Sequence, residues 1–272
     1  MPLITISHSI GSNGEAIARR VADSLHLELY DDSKLQQIAL KIGMHAEDLK
    51  SLDEKAPGLF DRILTERPQV YLDLMESVVY EVSRHGEGVI LGHGSQMLLR
   101  SFECAFHVRI HAAEATRIQR IVNQQNLSPK AAEKLIKKFD DRQKGFLRYA
   151  FGLDWNNSSL YDLIINSDKL NIDTAAKLVV DATQSEDIAT CSLNALDTME
   201  KLSKEKQVHA ILIKHNVDVT NLYIEVTEEG TAHITGLASA AEDIDRMNDA
   251  VKDVPGISEV VLEVTLFSGG YV

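Results

Sequence analysis

Short runs of apolar residues alternate along the chain with longer stretches in which apolar side chains recur every three or four positions. The short runs predict buried strands at Pro2–Ser7, Gly88–Gly92, Ala105–Ile110 and Leu163–Ile165. The longer stretches predict helices, chiefly over 17–25, 68–85, 113–123, 128–150 and the residues after 172. Because strands and helices alternate over residues 1–185, we expect an α/β domain there, with a parallel sheet between layers of helices.

The pattern changes after residue 185. Residues 186–204 are typical of a polar helical connection, and residues 205–267 predict a helix, a hairpin, a second helix and a last strand. The strands of this second part are expected at Asn221–Thr227, Thr231–Thr235 and Glu259–Phe267. They alternate apolar and polar residues, which predicts a small α+β domain with an antiparallel sheet and one solvated face.

Charge divides the chain at the same place. The net charge is −13, of which residues 1–185 carry −3 and residues 186–272 carry −10. The strong negative charge of the C-terminal part disfavours binding to nucleic acid, which is itself an anion. An integral membrane segment is not expected, because no apolar run approaches the length of a membrane-spanning helix.

The metal-ligating residue types form no pattern. The ten histidines are scattered, so no metal site is predicted. Cys104 and Cys191 lie in unrelated contexts without metal-type spacing. We therefore expect two reduced thiols and a cytoplasmic protein.

A glycine-rich turn follows the first predicted strand and opens the first helix. It contains Gly11, Ser12, Asn13 and Gly14, residue types that tolerate positive φ angles and expose main-chain N–H groups. Such a turn at a helix N-terminus favours phosphate, although a plain strand-to-helix connection has the same composition. The standard P-loop pattern G-x-x-x-x-G-K-[ST] is absent, and Gly14 stands where its lysine would be.

Five ordered blocks carry a resemblance. They are Ile4–Ala18, Tyr30–Asp31, Leu52–Pro57, Val89–Gly94 and Asp140–Asn166. Together they resemble the cytidylate kinase-like family over nearly all of residues 1–185. The resemblance implies a P-loop nucleoside monophosphate kinase fold with a parallel sheet, an acceptor-binding helical region and a helical lid. It also implies ATP and Mg²⁺ as cofactors, with donor phosphates on the turn at 11–14.

The resemblance implies that the basic helix 128–150 is the lid. Arg142 and Arg148 would then stabilise the transferring phosphoryl group, because this reaction depends mainly on positive charge and alignment. The alternative for this helix is a solvated face stabilised by pairs of opposite charges.

On the acceptor side, the resemblance implies roles for Gly92, His93 and Arg117. Asp31 would orient an acceptor hydroxyl or act as a base, and its alternative is to cap the next helix. A simple surface charge is the alternative for Arg117.

Three departures from the family weaken the enzymatic interpretation. His8 and His93 stand where the family commonly has arginine, and Glu15 stands where it has a basic residue. A histidine cannot replace the bidentate contact of an arginine, and Glu15 would repel an incoming phosphate. The alternative function is therefore a catalytically impaired, nucleotide-sensing regulatory protein.

Residues 205–267 resemble a BON domain. The cues are Leu222–Val226, Gly230–Gly236, the helix at 239–252 and Val254–Val260. The resemblance implies a binding module with a protein or small-ligand partner, and nothing in it is typical of a catalytic site.

Overall fold

Two compact units make up the protein. The computed structural model describes residues 2–42, 68–186, 188 and 190–266, so the block Leu52–Pro57 lies outside the described residues. The first unit combines Met1–Asp32 with His85–Leu193, and the second combines Ser33–Arg84 with Asn194–Val272.

The first unit is an α/β fold built on a five-stranded sheet. Its strands are β1 (Leu3–His8), β2 (Leu29–Tyr30), β3 (Gly88–Leu91), β4 (Ala105–His111) and β5 (Leu163–Asn166). Its helices are α1 (Gly14–Leu25), α4 (Ser95–Leu98), α5 (Glu114–Gln125), α6 (Pro129–Phe151) and α7 (Ile172–Thr183). The strand order is β2-β3-β1-β4-β5, and every neighbouring pair is parallel, as the alternation of strands and helices predicted.

The core of this unit explains why the strands are almost wholly apolar. Both faces of a parallel sheet are covered, so Ile4 and Ile6 on one strand are as buried as their neighbours on β4. Helix α1 places its apolar stripe against α7, where Val21 and Val179 belong to the same buried cluster. The sheet therefore holds the carboxyl ends of β1, β2 and β3 side by side at one edge.

The second unit contains a three-stranded sheet and four helices among the described residues. The helices are α2 (Asp32–Lys41), α3 (Pro68–Ser83), α8 (Leu193–Lys214) and α9 (Ala241–Lys252). The strands are β6 (Leu222–Val226), β7 (Thr231–Ala238) and β8 (Glu259–Leu266), in the order β6-β7-β8.

The prediction of a purely antiparallel C-terminal sheet is wrong. Strands β6 and β7 form the expected antiparallel hairpin, but β8 runs parallel to β7. The reason lies in the connection, since α9 carries the chain back to the end of the sheet at which β7 began. The α+β character is as predicted, and one face of the sheet exposes Tyr223.

Polar contacts join α3 to α8 inside the second unit. The Ser203 hydroxyl donates to the Ser77 carbonyl at 2.9 Å. His209 Nδ1 lies 2.8 Å from a carboxylate oxygen of Asp73, a residue that is only 1% exposed.

No described helix has the length and hydropathy to cross a bilayer.

The expectation of two reduced thiols is wrong, because Cys104 and Cys191 form a disulfide. Their Cα atoms lie 4.9 Å apart although the residues are separated by 87 positions in sequence. Cys104 precedes β4, and Cys191 lies in the segment after α7, so both belong to the first unit. The sequence contains no signal for this pairing, since the fold alone brings the two segments together.

We predict that Cys191→Ser lowers the free energy of unfolding of the first unit by up to about 4 kcal/mol. A cross-link across so long a loop restricts the unfolded chain strongly. Urea unfolding followed by the fluorescence of Trp155, the single tryptophan, measures the change. Reduced wild-type protein is the control and should unfold like the variant. Alkylation of two thiols in folded, unreduced protein would contradict the disulfide.

Candidate functional site

The glycine-rich turn has the backbone of an anion-binding loop. Gly11 and Asn13 have φ angles of 79° and 62°, and the Ser12 N–H bonds the Ser9 carbonyl at 3.0 Å. Helix α1 begins at Gly14, so its first N–H groups point out of the helix beside this turn. The structure thus brings Gly11, Ser12, Asn13 and Gly14 together in the predicted strand–turn–helix arrangement.

Hydrogen bonds from β4 and from the residue after β5 hold the turn. Ser12 is buried, and its hydroxyl donates to the Ile110 carbonyl at 3.3 Å. The Ser167 hydroxyl donates to the Ser12 carbonyl at 2.7 Å, while Arg120 donates to the Ser167 carbonyl at the same distance. The Ser12 side chain therefore points into the protein, and its main-chain N–H and carbonyl are also bonded within the protein.

Arg117 connects this turn to helix α6. Its Nε donates to the Ile10 carbonyl at 2.7 Å, and its two terminal nitrogens form a bidentate pair with Asp140 at 2.9 and 2.7 Å. The side chain is only 7% exposed. A Cβ at Gly11 would lie 2.9 Å from the Arg117 carbonyl oxygen, so this close approach requires glycine. The structure places Arg117 between turn and lid helix, and its acceptor role stays a prediction.

Helix α6 is the predicted long basic helix, and its start is as predicted. Ser128 caps it, accepting a hydrogen bond from the Ala131 N–H at 3.3 Å, and Pro129 occupies the first turn. The Phe139 ring lies 6.1 Å from the His8 ring, which puts this part of α6 beside the turn.

The two predicted lid arginines lie at different heights on α6. Arg142 is three residues beyond Phe139, or about 5 Å along the helix axis, and is half-buried. Arg148 lies about 13 Å beyond Phe139 and is exposed. Arg142 thus lies within about one helical turn of Phe139, whereas Arg148 is nearer the end of α6.

The imidazole of His8 takes the space that a side chain at position 14 would need. A Cβ built on Gly14 would lie 2.2 Å from the His8 Cβ, which no rotation of the ring relieves. Burial lowers the pKa of His8 below its ordinary value, against the raising effect of the Glu15 carboxylate. His8 is therefore neutral at pH 7 and adds no positive charge to the turn.

A second turn follows β3 at the same edge of the sheet. Gly92, His93 and Gly94 all have positive φ angles, of 80°, 55° and 73°. A Cβ at Gly94 would lie 3.0 Å from the Phe146 ring, so α6 also packs against this turn. His93 Nε2 donates to Asp32 Oδ1 at 2.6 Å.

Asp31 lies next to that pair and contacts a different group. Arg19 on α1 donates to Asp31 at 3.3 Å, in an exposed ion pair. Asp31 immediately precedes α2, which is where it would stand in its alternative role as the cap of that helix. Gly92, His93 and Asp31 are thus brought together at the ends of β2 and β3.

Sequence reasoning missed Arg109 on β4. The guanidinium is buried, lies 4.2 Å from the centre of the Trp155 ring and donates to the Trp155 carbonyl and to the Asn156 side chain. Trp155 in turn donates to the Ser7 hydroxyl at 2.9 Å, at the end of β1. An arginine within an apolar strand was the available signal, because a buried charge requires partners.

Five parallel strands flanked by helices, with a glycine turn between the first strand and the first helix, define an α/β fold of the P-loop kinase type. The particular family follows from sequence comparison. The model of the cytidylate kinase-like family matches residues 3–169. The chain belongs to this family.

Curated relatives agree with this assignment. The chain is 25% identical over 182 residues to a cytidylate kinase from Staphylothermus marinus, covering 66% of this chain and 94% of the relative. It is 26% identical over 171 residues to a cytidylate kinase from Methanosarcina acetivorans, covering 62% and 88%. These comparisons support a nucleotide kinase-like function, and no single substrate follows from them.

The fold itself has a solved counterpart. An uncharacterized protein from Eubacterium ventriosum aligns with a TM-score of 0.53 and 20% identity, over 68% of this chain and all of that chain. This likeness concerns the fold alone. The family match ends at residue 169, so the resemblance of residues 205–267 to a BON domain stays a prediction.

We predict that Arg117→Ala lowers the free energy of unfolding by about 3 kcal/mol or more. The substitution leaves the Asp140 carboxylate without its bidentate partner and the Ile10 carbonyl without a donor. Urea unfolding followed by Trp155 fluorescence measures the loss. Arg20→Ala is the matched control, because its pair with Asp173 is well exposed and should contribute less than about 1 kcal/mol. Equal losses in the two variants would contradict the bridging role.

Proposed function

We propose that the protein transfers a phosphoryl group from ATP, with Mg²⁺, to a nucleoside monophosphate of the CMP type or to a similar small acceptor. The observation that carries this proposal is the turn at 11–14, whose left-handed main chain leads into the N-terminus of α1 beside helix α6. Main-chain N–H groups and the helix dipole favour an anion at this point without any lysine.

Each predicted site residue has a place in this proposal. In the turn at residues 11–14, the N–H groups other than that of Ser12, which bonds the Ser9 carbonyl, would hold the donor phosphates. Arg142 and Arg148 would approach the transferring group when α6 closes, excluding water and adding positive charge. Gly92, His93 and Asp31 would face the acceptor, and Arg117 would fix the turn to the moving helix.

The residues present fit a nucleotide-bound magnesium ion better than a preformed metal cage. No cluster of three or more metal-ligating side chains occurs among the described residues. Mg²⁺ commonly binds through one or two carboxylates, water and substrate phosphates, and Glu15 is an exposed carboxylate at the start of α1. Bound magnesium would neutralise charge on the donor phosphates.

A second function is favoured by the contact between His8 and Gly14. This contact excludes a lysine at position 14, while His8 itself is neutral and Glu15 adds a negative charge. The alternative is therefore a catalytically impaired pseudokinase that binds nucleotide and acts through its BON-like C-terminal domain on a protein or small-ligand partner.

The active kinase and the pseudokinase differ in whether the protein converts ATP to ADP. A coupled assay with Mg·ATP and a panel of monophosphates and other small acceptors should detect ADP formation for an active enzyme. Calorimetry on the same protein should detect ATP binding in both cases. Binding without turnover on any acceptor would eliminate the enzyme and retain the sensor. Absence of any nucleotide-dependent rise in Tm would contradict both.

A pair of substitutions tests how the turn operates without its lysine. We predict that Gly14→Lys lowers the Tm and does not improve ATP affinity, because its Cβ collides with His8. The double variant His8→Gly with Gly14→Lys should recover the Tm and bind ATP at least about tenfold tighter, since the lysine now fits and contributes a charge-assisted contact. His8→Gly alone is the control. Equal ATP affinity of the two lysine variants would show that the turn is not where the phosphates bind.

A further inference from the structure

An imidazole–carboxylate pair stands at the acceptor side of the site. His93 follows β3, Asp32 follows β2, and the two strands are neighbours in the sheet. The hydrogen bond between His93 Nε2 and Asp32 Oδ1 is 2.6 Å long, which is short for this kind of contact.

The two partners differ sharply in exposure. The His93 side chain is 11% exposed and the Asp32 side chain is 75% exposed. A buried ring thus holds one oxygen of a carboxylate that is otherwise presented to solvent. Beside the pair, a Cβ at Gly92 would meet no atom of the described residues within 4 Å, apart from its neighbours in the chain.

The backbone at His93 is adapted to this geometry. A non-glycine residue with a φ of 55° is uncommon, and here it lies between two glycines that also have positive φ. The left-handed turn directs the imidazole towards Asp32. An unusual conformation kept at the end of a strand is a feature of functional sites more than of plain connections.

The charge at this edge is negative. Partial desolvation raises the pKa of Asp32, but the hydrogen bond and the electrostatic interaction with His93 outweigh it, so the net pKa is below its ordinary value. Asp32 is therefore ionised at neutral pH. A second phosphate brought to this side of the site would face the Asp32 carboxylate, with His93 standing where the family commonly has an arginine.

We infer that Asp32 accepts the proton of an acceptor hydroxyl and that His93 positions Asp32 for this step. The hydroxyl oxygen forms a bond to the γ-phosphorus of ATP as the bond from that phosphorus to the β,γ-bridging oxygen breaks. The leaving ADP takes the bond's electron pair, and the hydroxyl proton passes to Asp32. This inference rests on the proposed function and restricts its acceptors to small molecules that present a hydroxyl group.

Phosphate acceptors and hydroxyl acceptors need different chemistry from a site, and this difference supports the restriction to hydroxyl acceptors. An acceptor phosphate is ionised before it reacts and needs cations to hold it, with no base to activate it. An acceptor hydroxyl must lose its proton, and a positioned aspartate serves this purpose in other phosphotransferases. Asp32 and His93 supply a base and its positioning group, which is what a hydroxyl requires.

Water is the simplest hydroxyl with which to test the base. The full chain with Mg·ATP should hydrolyse ATP slowly, and Asp32→Asn should lower that rate at least about 100-fold with little change in ATP affinity. Asp23→Asn, an exposed carboxylate on α1, is the matched control and should keep the wild-type rate. His93→Ala should lower kcat without changing the KM for ATP, and His93→Gln, which keeps a donor for Asp32, should recover part of kcat.

Paired acceptors test the substrate class. Nucleosides and simple sugars should be phosphorylated faster than the same compounds carrying a phosphate on the reacting hydroxyl. Faster reaction of the monophosphates would overturn the inference and leave the proposed function standing. An ATP hydrolysis rate unchanged in Asp32→Asn, or no hydrolysis despite measured ATP binding, would also overturn it. Absence of ATP binding would instead be a failure of the proposed function.

Discussion

The Arg117 guanidinium is the contact on which the geometry of the site depends. It bonds the carbonyl of Ile10 at the entrance of the turn and both oxygens of Asp140 on α6. The planar fork of arginine matches a carboxylate in a way that lysine cannot, so orientation is fixed as well as distance. The turn and helix α6 are consequently joined by one buried ion pair, and the close contact between Gly11 and the Arg117 main chain holds the turn against α5.

Around that contact, the turn presents main-chain N–H groups where a standard P-loop would add the charge of a lysine. The residues that usually supply charge are changed together: position 14 is glycine, His8 covers it, and Glu15 opens the helix. A Cβ at position 14 would lie 2.2 Å from the His8 Cβ, so with this backbone any side chain at position 8 requires glycine at 14. A loop that depends on N–H groups tolerates such changes, since every residue except proline supplies one.

The sequence pattern located the strands of the first unit well, because both faces of a parallel sheet are buried and each strand is a continuous apolar run. Strand β2 has two residues, Leu29 and Tyr30, and is too short to produce such a pattern. The direction of β8 depended on the crossover through α9, and the disulfide joined segments far apart in sequence. In the site, composition predicted the turn, but the partners of Arg117 and Arg109 required the fold, since these contacts join residues on separate elements.

The division of the chain into two compact units bears on the alternative function, in which the protein senses nucleotide without transferring phosphate. The segment Ser33–Arg84 belongs to the same compact unit as the C-terminal residues. Within it, Asp73 on α3 is buried against His209 on α8, and Glu76 contacts Lys206. Separating these helices would leave buried carboxylates without partners, at a cost of several kcal/mol. Helices α3 and α8 must therefore move together, so a ligand that shifts α8 also shifts α3, whether the protein transfers phosphate or only senses it.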